Sequence, residues 1–283
     1  MSKEIVQLVS VLISTYDNPR FLERTVMSYE RQTFRNFEVI VTDDGSGPET
    51  EQLIRSLQSR CGFDLRHVRQ DDRGFRLARV RNLGLAAARG EYVVFTDQDC
   101  LAGAGFLAAH RQKSRRRRIV QGGRRHFTKS VTKAILSRPV DWLNRLDLRA
   151  YSIRHLDEDI LVHAFARRFG ALTGSNVAGF REDFLSVGGF DEKYSGWGGE
   201  DLDLGYRLWR DGCEIAHLGD GPGTVFHLFH SARRNFVSPT YLRLYLDIAR
   251  DVFLPWTSRF NPRRSRGLGG KDADKGSPGS AVS

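Results

Sequence analysis

The sequence predicts an α/β protein: a mainly parallel central sheet flanked by helices. Three observations predict it. Over the first hundred residues, short apolar and β-branched runs alternate with segments of helical spacing. The polar clusters Ser14-Thr15-Tyr16, Asp43-Asp44 and Asp97-Gln98-Asp99 each follow such a run. At 283 residues the chain is also long enough to bury a substantial core within one large domain.

The elements follow in order. Residues 7–14 form the first strand, and residues 19–31 set Phe21, Leu22, Thr25, Val26 and Tyr29 at helical intervals. A strand at 37–42, a helix at 48–59, a strand at 64–69, a helix at 76–88 and a strand at 91–96 complete a repeating unit. Four strands are then expected to point one way, so that the polar clusters gather at their carboxyl ends, where open sheets of this kind bind ligands. Residues 103–113 read as helical and 119–122 as a strand. Residues 129–169 are irregular, basic and helix-rich, and their spacing predicts no arrangement. Residues 171–180 return to strand character, 204–211 are helix-like, 213–217 form a short strand, and 239–253 form an amphipathic closing helix. Past Pro262 the Gly, Ser, Lys and Arg content cannot supply a core, and the tail is expected to be disordered.

Charge and cysteines narrow the class. The formal charge is +10, with obvious sources in the run of four arginines at 115–118 and in a tail from Arg259 that holds six basic and two acidic residues. Such a surface can attract nucleic acid, anionic lipid or a polyanionic substrate, and charge alone does not choose among them; a solvated helix end is the plainer reading of 115–118. No apolar run is long enough to cross a bilayer, and the N-terminus lacks the features of a secretory signal, which points to a cytoplasmic protein. Cys61, Cys100 and Cys213 are odd in number and widely spaced, so reduced, mostly buried thiols are expected.

The densest chemistry lies in Gly196-Trp197-Gly198-Gly199-Glu200-Asp201-Leu202-Asp203. Glycines let the backbone approach a ligand, Trp197 offers a flat apolar ring, and acids stand where a helix begins. That layout suits a sugar. Upstream, Asp97 and Asp99 offer hard oxygen donors, and downstream His227 and His230 are spaced so that a turn or helix can bring both rings to one side. Each has a structural alternative. The acids can simply favour a helix N-terminus, the histidines can be buried and hydrogen-bonded, and Asp43 to Ser46 can be a plain Asp-Gly turn.

The elements Thr15-Tyr16, Val41-Thr42-Asp43-Asp44-Gly45-Ser46, Arg81-Asn82-Leu83-Gly84, Gly90-Glu91-Tyr92 and Asp97-Gln98-Asp99, in this order and spacing, resemble the family 2 glycosyltransferases with a GT-A type, Rossmann-like nucleotide-sugar fold. Phe190-Asp191-Glu192 followed by the Gly-Trp-Gly-Gly-Glu-Asp turn resembles a segment shared by β-1,4-galactosyltransferases, polypeptide N-acetylgalactosaminyltransferases and chondroitin-type polymerases. Together the matches span roughly residues 11–230.

This resemblance implies an inverting, metal-dependent transfer of a hexose or N-acetylhexosamine from a UDP-sugar to a hydroxyl of a glycan, glycolipid or small glycoside. It implies a donor part at 1–122 and an acceptor and catalytic part at 123–258, followed by a basic tail at 259–283. Asp99 is implied as a ligand of Mn²⁺ or Mg²⁺, with Asp97 on the ribose or a metal-bound water. The interval between catalytic acid and metal ligand in the galactosyltransferases, counted from Asp201, reaches His227, and His230 assists or holds the diphosphate. Tyr16 borders the base, Ser14 and Thr15 contribute backbone contacts, and Asp44 accepts the pyrimidine N–H with Asp43 beside it. Arg76, Arg79 and Asn82 fall where they can reach the donor. Asp201 takes the place of the catalytic base, Glu200 binds sugar hydroxyls, and Trp197, Gly198 and Gly199 line the acceptor.

Chondroitin-type polymerases carry two such domains and this chain has length for one, so single-sugar addition is expected. No anchor or stem like that of the eukaryotic members is found, although the basic surface leaves room for peripheral membrane contact; nucleic acid is not expected as a partner. Two other readings remain: a non-catalytic basic binding protein on the same fold, and a sugar nucleotidyltransferase. Against the latter, Tyr16-Asp17-Asn18-Pro19 stands where a glycine-rich phosphate loop would be.

Overall fold

The computed structural model describes residues 6–143, 145–153, 170, 172–231, 244 and 246. Its first part alternates as expected: β1 (Val9–Thr15), α1 (Pro19–Ser28), β2 (Phe37–Asp43), α2 (Pro48–Arg60), β3 (Asp64–Arg69), α3 (Leu77–Ala87) and β4 (Tyr92–Asp97). Then follow β5 (Cys100–Ala102), α4 (Phe106–Lys113), β6 (Arg118–Gln121), β7 (Arg124–Phe127), α5 (Lys129–Ser137), α6 (Val140–Leu143) and β8 (Ser152–Ile153). The last described elements are β9 (Asn176–Phe180), α7 (Arg181–Ser186), α8 (Glu200–Arg210), β10 (Glu214–His217) and β11 (Val225–His227).

Seven strands form one sheet in the order β10-β6-β9-β4-β1-β2-β3. The neighbours β4, β1, β2 and β3 are parallel, and β9 is inserted antiparallel between β4 and β6. Strands of this kind are buried on both faces, which is why they read as unbroken apolar runs. In β1, Val9, Val11 and Ile13 join one core cluster while Leu12 joins the other. Helix α3 lies close over the sheet because Gly84 has no side chain: a Cβ there would stand 2.4 Å from Thr42 Cγ2.

The structure departs from the sequence expectation in several places. A second sheet of four strands, β5-β11-β7-β8, was not expected; its strands run for two to four residues, too short for periodicity to register. The acid-bearing helix starts at Glu200, not at 204. His227 ends a strand and His230 lies in the loop beyond it, and their ring centroids come within 5.0 Å of each other without a helix. Residues 154–169 and the tail lie outside the described residues, as does the 239–253 helix apart from Leu244 and Leu246. Those two are helical, the first buried and the second exposed. The described residues up to Leu244 form one compact unit.

The arginine run follows the end of α4, and each member has an acidic partner. Arg115 and Arg118 pair with Glu214, Arg116 with Glu182, and Arg117 with Asp211. Arg116 also lies over the Phe180 ring at 4.9 Å. Such exposed pairs are individually weak, but they commit the run to acids within the chain. All three cysteines are free thiols, two of them buried. Among the described residues no helix is long and apolar enough to cross a membrane.

Candidate active site

The carboxyl ends of β1, β2 and β4 stand side by side, with Thr15 opposite Asp43 and Ser14 opposite Asp97. Gln98 staples its centre: its Oε1 accepts from Thr15 Oγ1 at 2.5 Å and from Tyr16 N at 3.2 Å, and its backbone N–H donates to Ser14 O. The Tyr16 ring is 39% exposed, and its hydroxyl donates to Asp72 at 3.1 Å. The adjacent acids of β2 have divergent tasks. Asp43 is fully buried; one oxygen accepts from Gly45 N and Ser46 N, and the other meets His67 at 3.1 Å. Burial pushes its pKa up, but His67 and Ser46 outweigh that and hold it below its usual value. Asp43 thus shapes the turn from within. Asp44 accepts from Arg76 N at 2.8 Å and from Gln70, yet burial still raises its pKa.

Arg76 stays near these strand ends, with its guanidinium on Asp71 O. Arg79 and Asn82 turn elsewhere. Asn82 donates to Phe190 O at 2.9 Å and to Glu192, and it accepts from Phe190 N at 2.8 Å; Arg79 lies 3.8 Å from Glu192. These two residues tie α3 to the loop that precedes the glycine turn.

The residue that joins the two halves is Arg81, which the sequence reading passed over. It is 2% exposed, and its Nη2 donates to Asp97 while its Nη1 donates to Glu200, each at 3.0 Å. Phe190 packs 5.2 Å from its guanidinium, and Gly174 leaves room for it, since a Cβ there would stand 2.5 Å from Nη1. The signal was present. Arg81 shares a helix face with Ala78 and Leu85, both core residues, and a charge on an apolar face needs a buried partner.

Beyond Asp97 the chain turns into β5, which pairs with β11 so that Cys100 stands opposite His227. Asp99 Oδ2 lies 2.9 Å from His230 Nε2 and 3.5 Å from His227 Nε2. Burial alone would favour a neutral Asp99, but His227 and His230 override it and bring its pKa to about 2. Burial lowers the pKa of His227, whereas the hydrogen bond to Asp99 raises that of His230. Atoms of Asp99, Cys100 and His227 lie within 4.8 Å of one another. Burial drives the Cys100 thiol far up, and it donates to Asp99 at 3.3 Å. With His230 also on Asp99, one carboxylate and two imidazoles lie together beside the thiol, a donor set that fits a divalent cation such as Mn²⁺.

Opposite stands the acid turn. Gly196, Gly198 and Gly199 have φ of 89°, 89° and 98°, a region that side chains disfavour. This turn leaves Trp197 48% exposed and starts α8 at Glu200. Glu200 is buried, with Oε2 lacking any partner among the described residues; burial first, then Asp201, lifts its pKa to about 7. Asp201 is partly buried and accepts from Gly174 N at 2.9 Å and Leu202 N at 2.8 Å. Asp203 pairs with Arg207 at 2.6 Å along the helix, a structural task.

Comparison with known proteins gives this geometry a family. Residues 10–173 match the model for glycosyl transferase family 2, and residues 154–231 match that for the N-terminal domain of galactosyltransferase. The chain is 34% identical over 229 residues to validoxylamine A glucosyltransferase of Streptomyces hygroscopicus subsp. jinggangensis, covering 74% of this chain and 53% of that protein. It is 30% identical over 232 residues to chondroitin synthase of Escherichia coli, covering 74% and 33%. The chain therefore spans about half or less of the length of these curated relatives. GalNAc-T7, solved with UDP, GalNAc and Mn²⁺, shares the fold at a TM-score of 0.59 and 18% identity, covering 86% of this chain and 48% of that one.

Proposed function

The chain belongs to glycosyl transferase family 2, and from that premise we propose that it is an inverting, metal-dependent enzyme that moves a hexose or N-acetylhexosamine from a UDP-sugar to a hydroxyl of a glycan, glycolipid or small glycoside. One observation carries the reading. Buried Arg81 grips Asp97, two residues from Asp99, and Glu200, one residue from Asp201. That shared guanidinium supports reading the Asp99 donor set and the acid turn as parts of one site.

Asp99, His227 and His230 would hold Mn²⁺ or Mg²⁺, which when bound neutralises charge on the leaving diphosphate. Tyr16 and Asp44, with Ser14 and Thr15 fixed by Gln98, form the wall for the base, and Arg76 N keeps Asp44 in place. Asp201 takes the acceptor hydroxyl proton as the new bond forms, a task for a carboxylate within hydrogen-bond reach. Its two backbone hydrogen bonds aim it and leave lone pairs for that proton. Glu200 keeps Oε2 for a sugar hydroxyl, and Trp197 offers its ring to the acceptor at the mouth of the turn. The UDP and Mn²⁺ found with GalNAc-T7 support the choice of nucleotide and cation. The polyanion-binding alternative loses support from the paired arginines at 115–118.

A screen of UDP-sugars with Mn²⁺ for slow donor hydrolysis tests the proposal. Hydrolysis of at least one donor by the wild type, abolished by chelation and by Asp99→Ala, is expected. Equal turnover by wild type and variant would end the metal-dependent assignment.

A further inference from the structure

Most arginines around the second sheet are committed to acids. Arg125 is held by Asp220 at 2.9 Å and by Ser152, and Arg149 takes the other oxygen of Asp220 at 3.0 Å. Arg124 differs. It is partly buried, yet among the described residues it has no carboxylate partner.

Its position is informative. Strand β6 is antiparallel to β9, as is β4, so both end at the same edge of the main sheet; Arg124 opens β7 just past that edge. Alternation along β7 puts Arg124 and His126 on one face and Arg125 on the other. His126 is the register partner of His227, and their ring centroids are 5.0 Å apart. A single row across three strands thus reads Cys100, His227, His126.

We propose that Arg124, with His126 beside it, binds the leaving diphosphate of the donor. This rests on the nucleotide-sugar reading above and adds the side chain that receives the departing charge. A guanidinium presents paired N–H donors that match phosphate oxygens, and a partly buried cation with no acid among the described residues is placed to receive an anion that offsets its lost hydration. In the transfer step the acceptor oxygen bonds to the anomeric carbon as the bond from that carbon to the diphosphate oxygen breaks. The electron pair stays on the diphosphate and the acceptor proton passes to Asp201. Hydrogen bonds from Arg124 therefore strengthen as the bond breaks, which lowers the barrier. The other anion that could seat here is an acidic group on the acceptor.

Titration calorimetry with UDP and UMP, each with Mn²⁺, on wild type, Arg124→Ala and Arg124→Lys separates these sources. The alanine variant is expected to bind UDP about 10- to 100-fold more weakly, with UMP affinity changed far less and partial recovery by lysine. UDP affinity within twofold of wild type, or equal losses for UDP and UMP, overturns the assignment. So does a variant that binds UDP normally and shows only a raised KM for an acidic acceptor. A wild type that fails to bind UDP at all would instead bring down the nucleotide-sugar reading itself.

Discussion

Arg81 donates to Glu200 at 3.0 Å across 119 residues of sequence, and both groups are buried. Removing one member of such a pair leaves charge in a low-dielectric interior, which costs far more than the pair contributes. Arg81→Ala strands Asp97 and Glu200 together and should lose about 3–5 kcal/mol of stability. Chemical denaturation measures this; a loss below about 1 kcal/mol would show that the bridge does not hold the two halves.

Stability should also fall with acid through His110. This imidazole is fully buried beside Phe106, with Nε2 on Asn176 Oδ1 at 2.9 Å, and burial depresses its pKa to about 4. The unfolded chain takes up the proton near pH 6.5 and the native state only near 4, so stability is full above 6.5 and is lost as pH falls through that window. The loss reaches about 3 kcal/mol. His110→Gln, measured by urea unfolding at pH 7 and 4.5, should flatten the profile; an unchanged slope would contradict this origin.

Cation binding should depend on the donors and not on the thiol. With UDP present, Asp99→Ala and His227→Ala are each expected to weaken Mn²⁺ binding by about 10- to 100-fold or more, read from the free-ion paramagnetic resonance signal. Cys100→Ala should leave affinity within about threefold, because the thiol's contact with the site is a hydrogen bond to Asp99. A large loss on removing Cys100 would require it as a ligand.

Gly205 fixes the seat of α8. A Cβ there would stand 1.8 Å from Gly170 O, so Gly205→Ala must displace the helix that begins with Glu200 and Asp201. A destabilisation of about 1–3 kcal/mol is expected, with transfer reduced in the folded fraction. Wild-type stability and activity would show that the helix shifts freely.

The parallel half of the sheet was legible because strands buried on both faces leave unbroken apolar runs, and β1 to β4 lie within a residue or two of expectation. The second sheet was not, because strands such as Cys100–Ala102 and Val225–His227 are held by pairing between distant segments and not by local pattern. Within the site, Arg81 bridges Asp97 and Glu200, each one or two residues from Asp99 and Asp201. Asp43, Arg79 and Asn82 carry contacts that sequence does not show, to the turn at 45–46 and the loop at 190–192. Arg81 was missed because sequence shows a charge without its burial. The basic run is solvated just past a helix end, as the plainer reading expects, but its acids, Glu182, Asp211 and Glu214, could not be assigned from sequence because they lie nearly seventy to a hundred residues away.

The central claim is that Asp201 accepts the acceptor proton in a cleft whose cation and nucleotide sites work without it. The direct measurement is Asp201→Asn, assayed for UDP binding with Mn²⁺ and for steady-state transfer on the same preparation. Nucleotide affinity should stay within about threefold while kcat falls by about 10²- to 10⁴-fold. Transfer at the wild-type rate by Asp201→Asn would contradict the account.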